Sequence, residues 1–206
     1  MIDNERLGTL DITGVPSLTQ VVHGIQDQVI SESIFRDGFW EPFETSILVA
    51  SLEAGHSFLD IGANIGYFTL VAASLVGDSG LVYAVEPEPN NFNLMTKSLS
   101  INKLSDRVIA KCLALSNRDA REKLFLSSDN LGDHQLYTDN SAREWIPVNL
   151  RHGSRLLSRD VKRLDFIKID TQGSEYEILE GLEPLLSSLV SLPRMLIELT
   201  PFSLRV

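Results

Sequence analysis

With a single cysteine, Cys112, in 206 residues, no disulfide framework can form within one chain. Cys112 lies among aliphatic neighbours in VIAKCLAL with no activating histidine beside it, and a buried structural role is expected. Basic charge is also short, with 18 Lys and Arg against 28 Asp and Glu, a formal net charge of -10. That balance leaves no extended footprint for phosphates, so no nucleic-acid partner is expected. No apolar run approaches the ~18 residues of a membrane span. The opening MIDNERLGTLDITG lacks the basic flank and apolar stretch of a secretory signal. No membrane association and a cytoplasmic location follow as default expectations. What is present, 43% hydrophobic and 22% charged residues, suits one soluble globular domain.

A single domain over 1–206 is expected, with an N-terminal cap and helix over 1–55 and a core over 56–206. In the cap, VVHGIQDQV reads as a short strand or edge hairpin. WEPFETSILVASLEAG reads as an amphipathic helix, with Pro42 near its start, Gly55 after its end, and Phe43, Ile47, Leu48 and Leu52 along one stripe. Then SFLDIG predicts a strand and ANIGYFTLVAASLVG a helix; LVYAVEP and NNFNLMTKSLSINKL repeat the pair, and RVIAKCLALS reads as a third strand. An insertion bearing a loop is expected at about 117–160, with REKLFLSS and REWIPVNL as strands. RLDFIKID, TQGSEYEILEGLEPLLSS and PRMLIELT then predict strand, helix and strand. Strands alternating with helices imply right-handed crossovers in a doubly wound, mostly parallel α/β sheet of Rossmann-like type.

The chemistry gathers where the first strand turns into its helix, Asp60-Ile61-Gly62-Ala63-Asn64-Ile65-Gly66. Glycines there allow a sharp turn and close approach of backbone to a ligand. A dinucleotide site would show Gly-x-Gly-x-x-Gly with pyrophosphate on the helix N-terminus, and the spacing differs. Asp60 at the strand end would repel a pyrophosphate but tolerate an ammonium and a sulfonium, which points to S-adenosylmethionine. Glu86 ends the second strand, twenty positions beyond Gly66, where its carboxylate can accept hydrogen bonds from both ribose hydroxyls.

The segments FLDIGANIGYFT, YAVEPEPNNFNLM, DNLGDHQL and FIKIDTQGSEYEIL resemble the FkbM-type methyltransferases, over about 38–200 of the chain. The resemblance implies a class I methyltransferase fold and O-methylation of hydroxyls on sugars, polyketides or other secondary metabolites, with a small-molecule or saccharide acceptor. It implies that Asp60, Gly62, Ala63, Asn64 and Gly66 hold the methionine part of the cofactor, Glu86 the ribose, and the turn at Leu115 and Ser116 the adenine. Trp40 and Glu41 match the family's WEP segment and are expected to cap the cofactor or acceptor site.

Methyl transfer needs alignment of acceptor oxygen, carbon and sulfur, and a base to take the hydroxyl proton. Asp170, at the carboxyl end of the fourth strand, and His134, in the DNLGDH loop, are the two candidates. No metal is assigned: a divalent ion held by Asp170, Glu198 and a third oxygen donor is conceivable, but no ligand spacing demands it. His23, His56 and His152 are scattered singly, which speaks against zinc. Folds of this class usually close with two further strands, whereas this sequence stops after the fifth at IELTPFSLRV, so an exposed edge and homodimerisation through it are expectations. The competing readings are a non-catalytic S-adenosylmethionine-binding protein and an NAD-dependent oxidoreductase.

Overall fold

The computed structural model describes residues 5–128, 130–137, 143–158 and 161–199. Its centre is a five-stranded sheet in which every described pairing is parallel. In sheet order the strands are β10 (Arg194–Ile197), β9 (Phe166–Ile169), β3 (Ser57–Ile61), β4 (Leu81–Val85) and β5 (Val108–Lys111). Parallel neighbours need crossovers, and the apolar periodicities supply them as α3 (Tyr67–Val76), α4 (Pro89–Ile101) and α6 (Glu175–Ser188).

Strand alternation sorts the core into two layers. Phe58, Val82, Ala84 and Phe166 pack with α3 and α4 on one face. Leu59, Ile61, Tyr83, Val85, Ile167 and Ile169 pack with Ile178, Leu182 and Leu185 of α6 on the other. Being buried on both faces, the central strands read as near-continuous apolar runs, which is why SFLDI and LVYAV were legible as strands.

The N-terminal reading holds in part. β1 (Glu5–Leu10) and β2 (Leu18–His23) form an antiparallel hairpin, but IQDQV leaves the strand and leads into α1 (Ile30–Asp37). The expected helix is α2 (Pro42–Ser51), with Pro42 in its first turn. Its buried side chains are Thr45 and Leu48, while Phe43 is 70% exposed, so the expected stripe is only half a core face.

RVIAKCLALS is two strands rather than one. The chain bends at Cys112 and Leu113, leaving β5 in the main sheet and passing β6 (Ala114–Ser116) to a second sheet of order β6-β8-β7, where β7 is Ala120–Phe125 and β8 is Trp145–His152. That second sheet, with α5 (Gly153–Leu157) after it, accounts for most of the described part of the expected insertion. Cys112 sits at the bend and is exposed, which corrects the expectation of burial. At the far side β10 forms an edge of the sheet among the described residues, with Met195 and Leu199 more than a third exposed.

Candidate active site

The carboxyl ends of β3, β4 and β9 converge on two adjoining cavities. The first, of about 560 Å³ including its open mouth, runs from Gly62 and Asn64 past Glu86 to an aliphatic stretch made by Leu113, Leu115, Leu124, Leu136 and Ile178. The second, of about 800 Å³, opens between Trp40, Glu41, Lys168 and Glu198. Both are bordered by Gly62, Asn64, Gly132, Asp170 and Gln172, so whatever fills the first meets whatever fills the second along this seam.

Backbone conformation at the seam is costly. Gly62 has φ +79°, and a Cβ there would stand 1.9 Å from the Asp170 carbonyl oxygen, so the turn tolerates glycine alone. Among the described residues four other than glycine take the left-handed conformation, and three of them, Glu41 (φ 43°), Asn64 (φ 53°) and Gln172 (φ 54°), border the second cavity, the fourth being Lys103. Such strain persists where surrounding structure enforces it, commonly at functional sites.

Glu86 is buried on the wall of the first cavity. The Asn64 N–H donates to its Oε2 and the Glu88 N–H to its Oε1, each at 2.8 Å. Burial nevertheless pushes its carboxyl up to about 8. Both oxygens retain lone pairs for further donors. Asp60 is placed differently from the expectation: it borders neither cavity, is 1% exposed, and accepts a hydrogen bond from Thr69 Oγ1 at 2.5 Å. Alternation along β3 turns its side chain towards α3, and its register partner on β9 is Lys168. Its side chain thus belongs to the buried cluster with Thr69 and Lys168. Gly66 and Ser116 also stand behind the cavity walls; Ala63 borders the second cavity and Leu115 the first.

Asp170, expected at the carboxyl end of its strand, directly follows β9 and borders both cavities, but its carboxylate is already committed. Its Oδ2 accepts from Lys168 Nζ at 2.7 Å and its Oδ1 from Gln172 Nε2 at 2.9 Å. Burial raises this carboxyl, but the Lys168 ammonium together with hydrogen bonds involving Lys168, Glu198 and Gln172 holds it below the ordinary carboxylate range. Glu198 moves the opposite way, pushed up to about 7 by burial and by the charge of Asp170. Burial also raises the carboxyl of Glu41. Carboxylate oxygens of Glu41, Asp170 and Glu198 lie within 4.8 Å of one another. The buried Lys168 ammonium, 4.6 Å from the Phe68 ring centroid, supplies positive charge beside this triad.

His134 borders the first cavity, and its Nδ1 accepts the Ser127 N–H at 3.0 Å. Burial lowers its pKa, so the ring is neutral with its proton on Nε2. In that arrangement its remaining nitrogen is a donor, which argues against the general-base role expected for it. The loop carrying it is tied down through the Leu131 carbonyl, which accepts from Asn64 Nδ2 at 3.3 Å and Asn91 Nδ2 at 3.2 Å. Asn91 Oδ1 in turn pairs with His23 Nε2 at 2.6 Å, joining the N-terminal hairpin to the site.

A glycine-turned strand end with a carboxylate at the end of the next strand is shared by several nucleotide-binding families; likeness in sequence separates them. The family model described as the methyltransferase FkbM domain matches residues 60–205. This chain belongs to that family. Among curated relatives, Methyltransferase 1 of Beauveria bassiana is 23% identical over 77% of this chain and 68% of its own length. The hexuronic acid methyltransferase AglP of Haloferax volcanii is 26% identical over 69% of this chain, which spans only 56% of AglP. A solved FkbM methyltransferase from Methylobacillus flagellatus aligns with a TM-score of 0.48 and 15% identity, over 76% of this chain and 40% of that one.

The cofactor of such an FkbM methyltransferase is S-adenosylmethionine, and the first cavity fits it by the chemistry of its walls. An aliphatic slot suits a purine, the buried Glu86 carboxylate suits a vicinal diol, and the turn at Gly62 to Asn64 suits the amino-acid end. Sequence reasoning left three parts of the site without roles: Lys168, Glu198 and the His23–Asn91–Leu131 tie. A lysine inside a strand otherwise buried on both faces was the one available signal, because such a charge needs a partner.

Proposed function

We propose that this FkbM methyltransferase moves the methyl group of S-adenosylmethionine onto a hydroxyl oxygen of a sugar-like or secondary-metabolite acceptor held in the second cavity. The observation that carries this reading is the seam, where Gly62, Asn64, Asp170 and Gln172 border both cavities and would bring donor and acceptor face to face. Bound S-adenosylmethionine supplies an activated methyl group, so the chain itself has to orient the acceptor and receive its proton.

Trp40 offers an apolar face of the kind that packs on a sugar ring, and Glu41 and Gln172 offer hydrogen-bond acceptors for hydroxyls. Glu198 suits the proton-accepting role better than Asp170, because a carboxyl near 7 is ionised in useful amounts at neutral pH and still holds a proton once taken. Lys168 keeps Asp170 ionised, and that fixed negative charge in turn raises Glu198. Four acidic residues, Glu41, Asp133, Asp170 and Glu198, border the cavity against the one paired lysine, which favours a neutral polyol over an anionic acceptor. AglP, named for hexuronic acids, acts on a different class by this reading.

The test is transfer of label from S-adenosylmethionine carrying a tritiated methyl group to a panel of neutral glycosides, amino sugars and hexuronic acids. Alkali-stable label on a neutral glycoside, which has neither amine nor carboxyl, marks an ether and supports the reading, whereas label on amino sugars alone contradicts it. Alkali-labile label marks a methyl ester on a carboxylate and contradicts it, and cofactor binding with no transfer to any hydroxyl favours a non-catalytic binding protein.

A further inference from the structure

Ser174 occupies the N-cap position of α6, where a serine hydroxyl ordinarily accepts a backbone N–H of the first turn. Here it makes no such bond. Next to it the Glu175 carboxylate collects the donors of the turn before the helix, its Oε1 accepting the Thr171 N–H at 3.1 Å, the Thr171 hydroxyl at 3.0 Å and the Gly173 N–H at 3.0 Å. Ser174 is 4% exposed, and its Oγ makes no hydrogen bond among the described residues.

Among the described residues, the other buried side-chain atoms lacking a partner belong to Gln20, Asp60 and His152, none of which borders the first cavity. Ser174 does border it. The residue lies one helical turn before Ile178, whose N–H donates to the Ser174 carbonyl at 3.1 Å, and Ile178 packs with Leu115 in the same buried cluster. This is the aliphatic wall, with Leu113, Leu124 and Leu136 completing it. A flat aromatic ligand laid against aliphatic side chains still needs a partner for its polar edge, and a buried unpaired hydroxyl gains more from such a partner than an exposed one would.

We infer that Ser174 is a recognition residue for the adenine of S-adenosylmethionine, its hydroxyl hydrogen-bonding the edge of the base. The role rests on assigning the first cavity to that cofactor. Because the hydroxyl is unpaired in the free protein, its removal has opposite consequences for folding and for binding. A capping serine would behave otherwise, since losing it destabilises the helix whatever is bound.

The experiment is calorimetric titration of wild-type chain and Ser174→Ala with S-adenosylhomocysteine and with 5′-methylthioadenosine, which keeps base and ribose but lacks the amino-acid end, alongside thermal unfolding of both free proteins. The expected result is binding weakened about threefold to tenfold for both compounds, as for loss of one neutral hydrogen bond, with the free variant melting at or above the wild-type temperature. Equal affinities, or weakening seen with S-adenosylhomocysteine alone, would overturn the adenine role. So would a lower melting temperature without a change in binding. If the wild-type chain bound neither compound, the cofactor assignment itself would fall, and the role of Ser174 with it.

Discussion

We propose that Glu86 receives the ribose hydroxyls of the cofactor, and this role predicts a dependence of binding on pH. Burial pushes its carboxyl up to about 8 in the free protein, so the proton leaves only as the pH passes through that value. Ribose hydroxyls donate to a carboxylate, and binding therefore favours the ionised form. With a pKa of about 8 the group is ionised in about 1% of molecules at pH ~6 and about half at pH ~8, and apparent affinity follows the competent fraction. S-adenosylhomocysteine should bind about 50-fold more tightly at the upper pH, releasing close to one proton per ligand near pH ~6.5. Calorimetry in two buffers of different ionisation enthalpy reads both quantities, and 5′-methylthioadenosine should reproduce the slope without the amino-acid charges. Glu86→Gln should abolish the slope and bind weakly throughout, since the Asn64 and Glu88 N–H groups bond different oxygens and the amide NH2 that replaces one of them would face a donor with a donor. The sign for stability is the reverse: a carboxyl raised in the folded state costs stability between its ordinary 4.5 and about 8, so the free chain should weaken as pH climbs through that window. An affinity independent of pH from 6 to 8, with no proton released, would refute the reasoning.

Gly62→Ala should cost about 2–5 kcal/mol, combining the left-handed backbone with a Cβ driven into the Asp170 carbonyl; at about 2–4 °C per kcal/mol this is plain in a thermal melt. Lys168→Met should cost about 3–5 kcal/mol near neutral pH by stranding Asp170. Since Asp170 is held below its ordinary range, that deficit should shrink in acid as it takes up a proton, which denaturant titrations at two pH values would reveal. Asn91→Ala removes the link from His23 to the Leu131 carbonyl, and should weaken S-adenosylhomocysteine binding and speed hydrogen exchange at Leu131 and Gly132.

The parallel sheet and its order of elements were legible because buried strands and crossover helices differ in length and period, as SFLDI, LVYAV and FIKI show against ANIGYFTLVAASLVG. Glu86 and the Gly62 turn were legible too, since their places depend on one strand–turn–helix unit. What escaped depends on contacts across the chain. The bend at Cys112 divides an apolar run that has no local breaker, and only the second sheet explains it. Asp60 and Asp170 look alike as acidic strand ends, yet strand pairing faces the first towards α3 with Lys168 as its register partner, while the second reaches the cavities. No local pattern could reveal that the Ser174 hydroxyl, in an N-cap position, would be buried without a partner among the described residues.

The most direct test of the central claim is calorimetric titration of the purified chain with S-adenosylmethionine, repeated on Glu86→Ala and with NAD as the control ligand. Saturable binding by the wild-type chain, weakened by the substitution and absent for NAD, is the predicted result. A folded wild-type chain that binds no S-adenosylmethionine, or that binds NAD in its place, would contradict it.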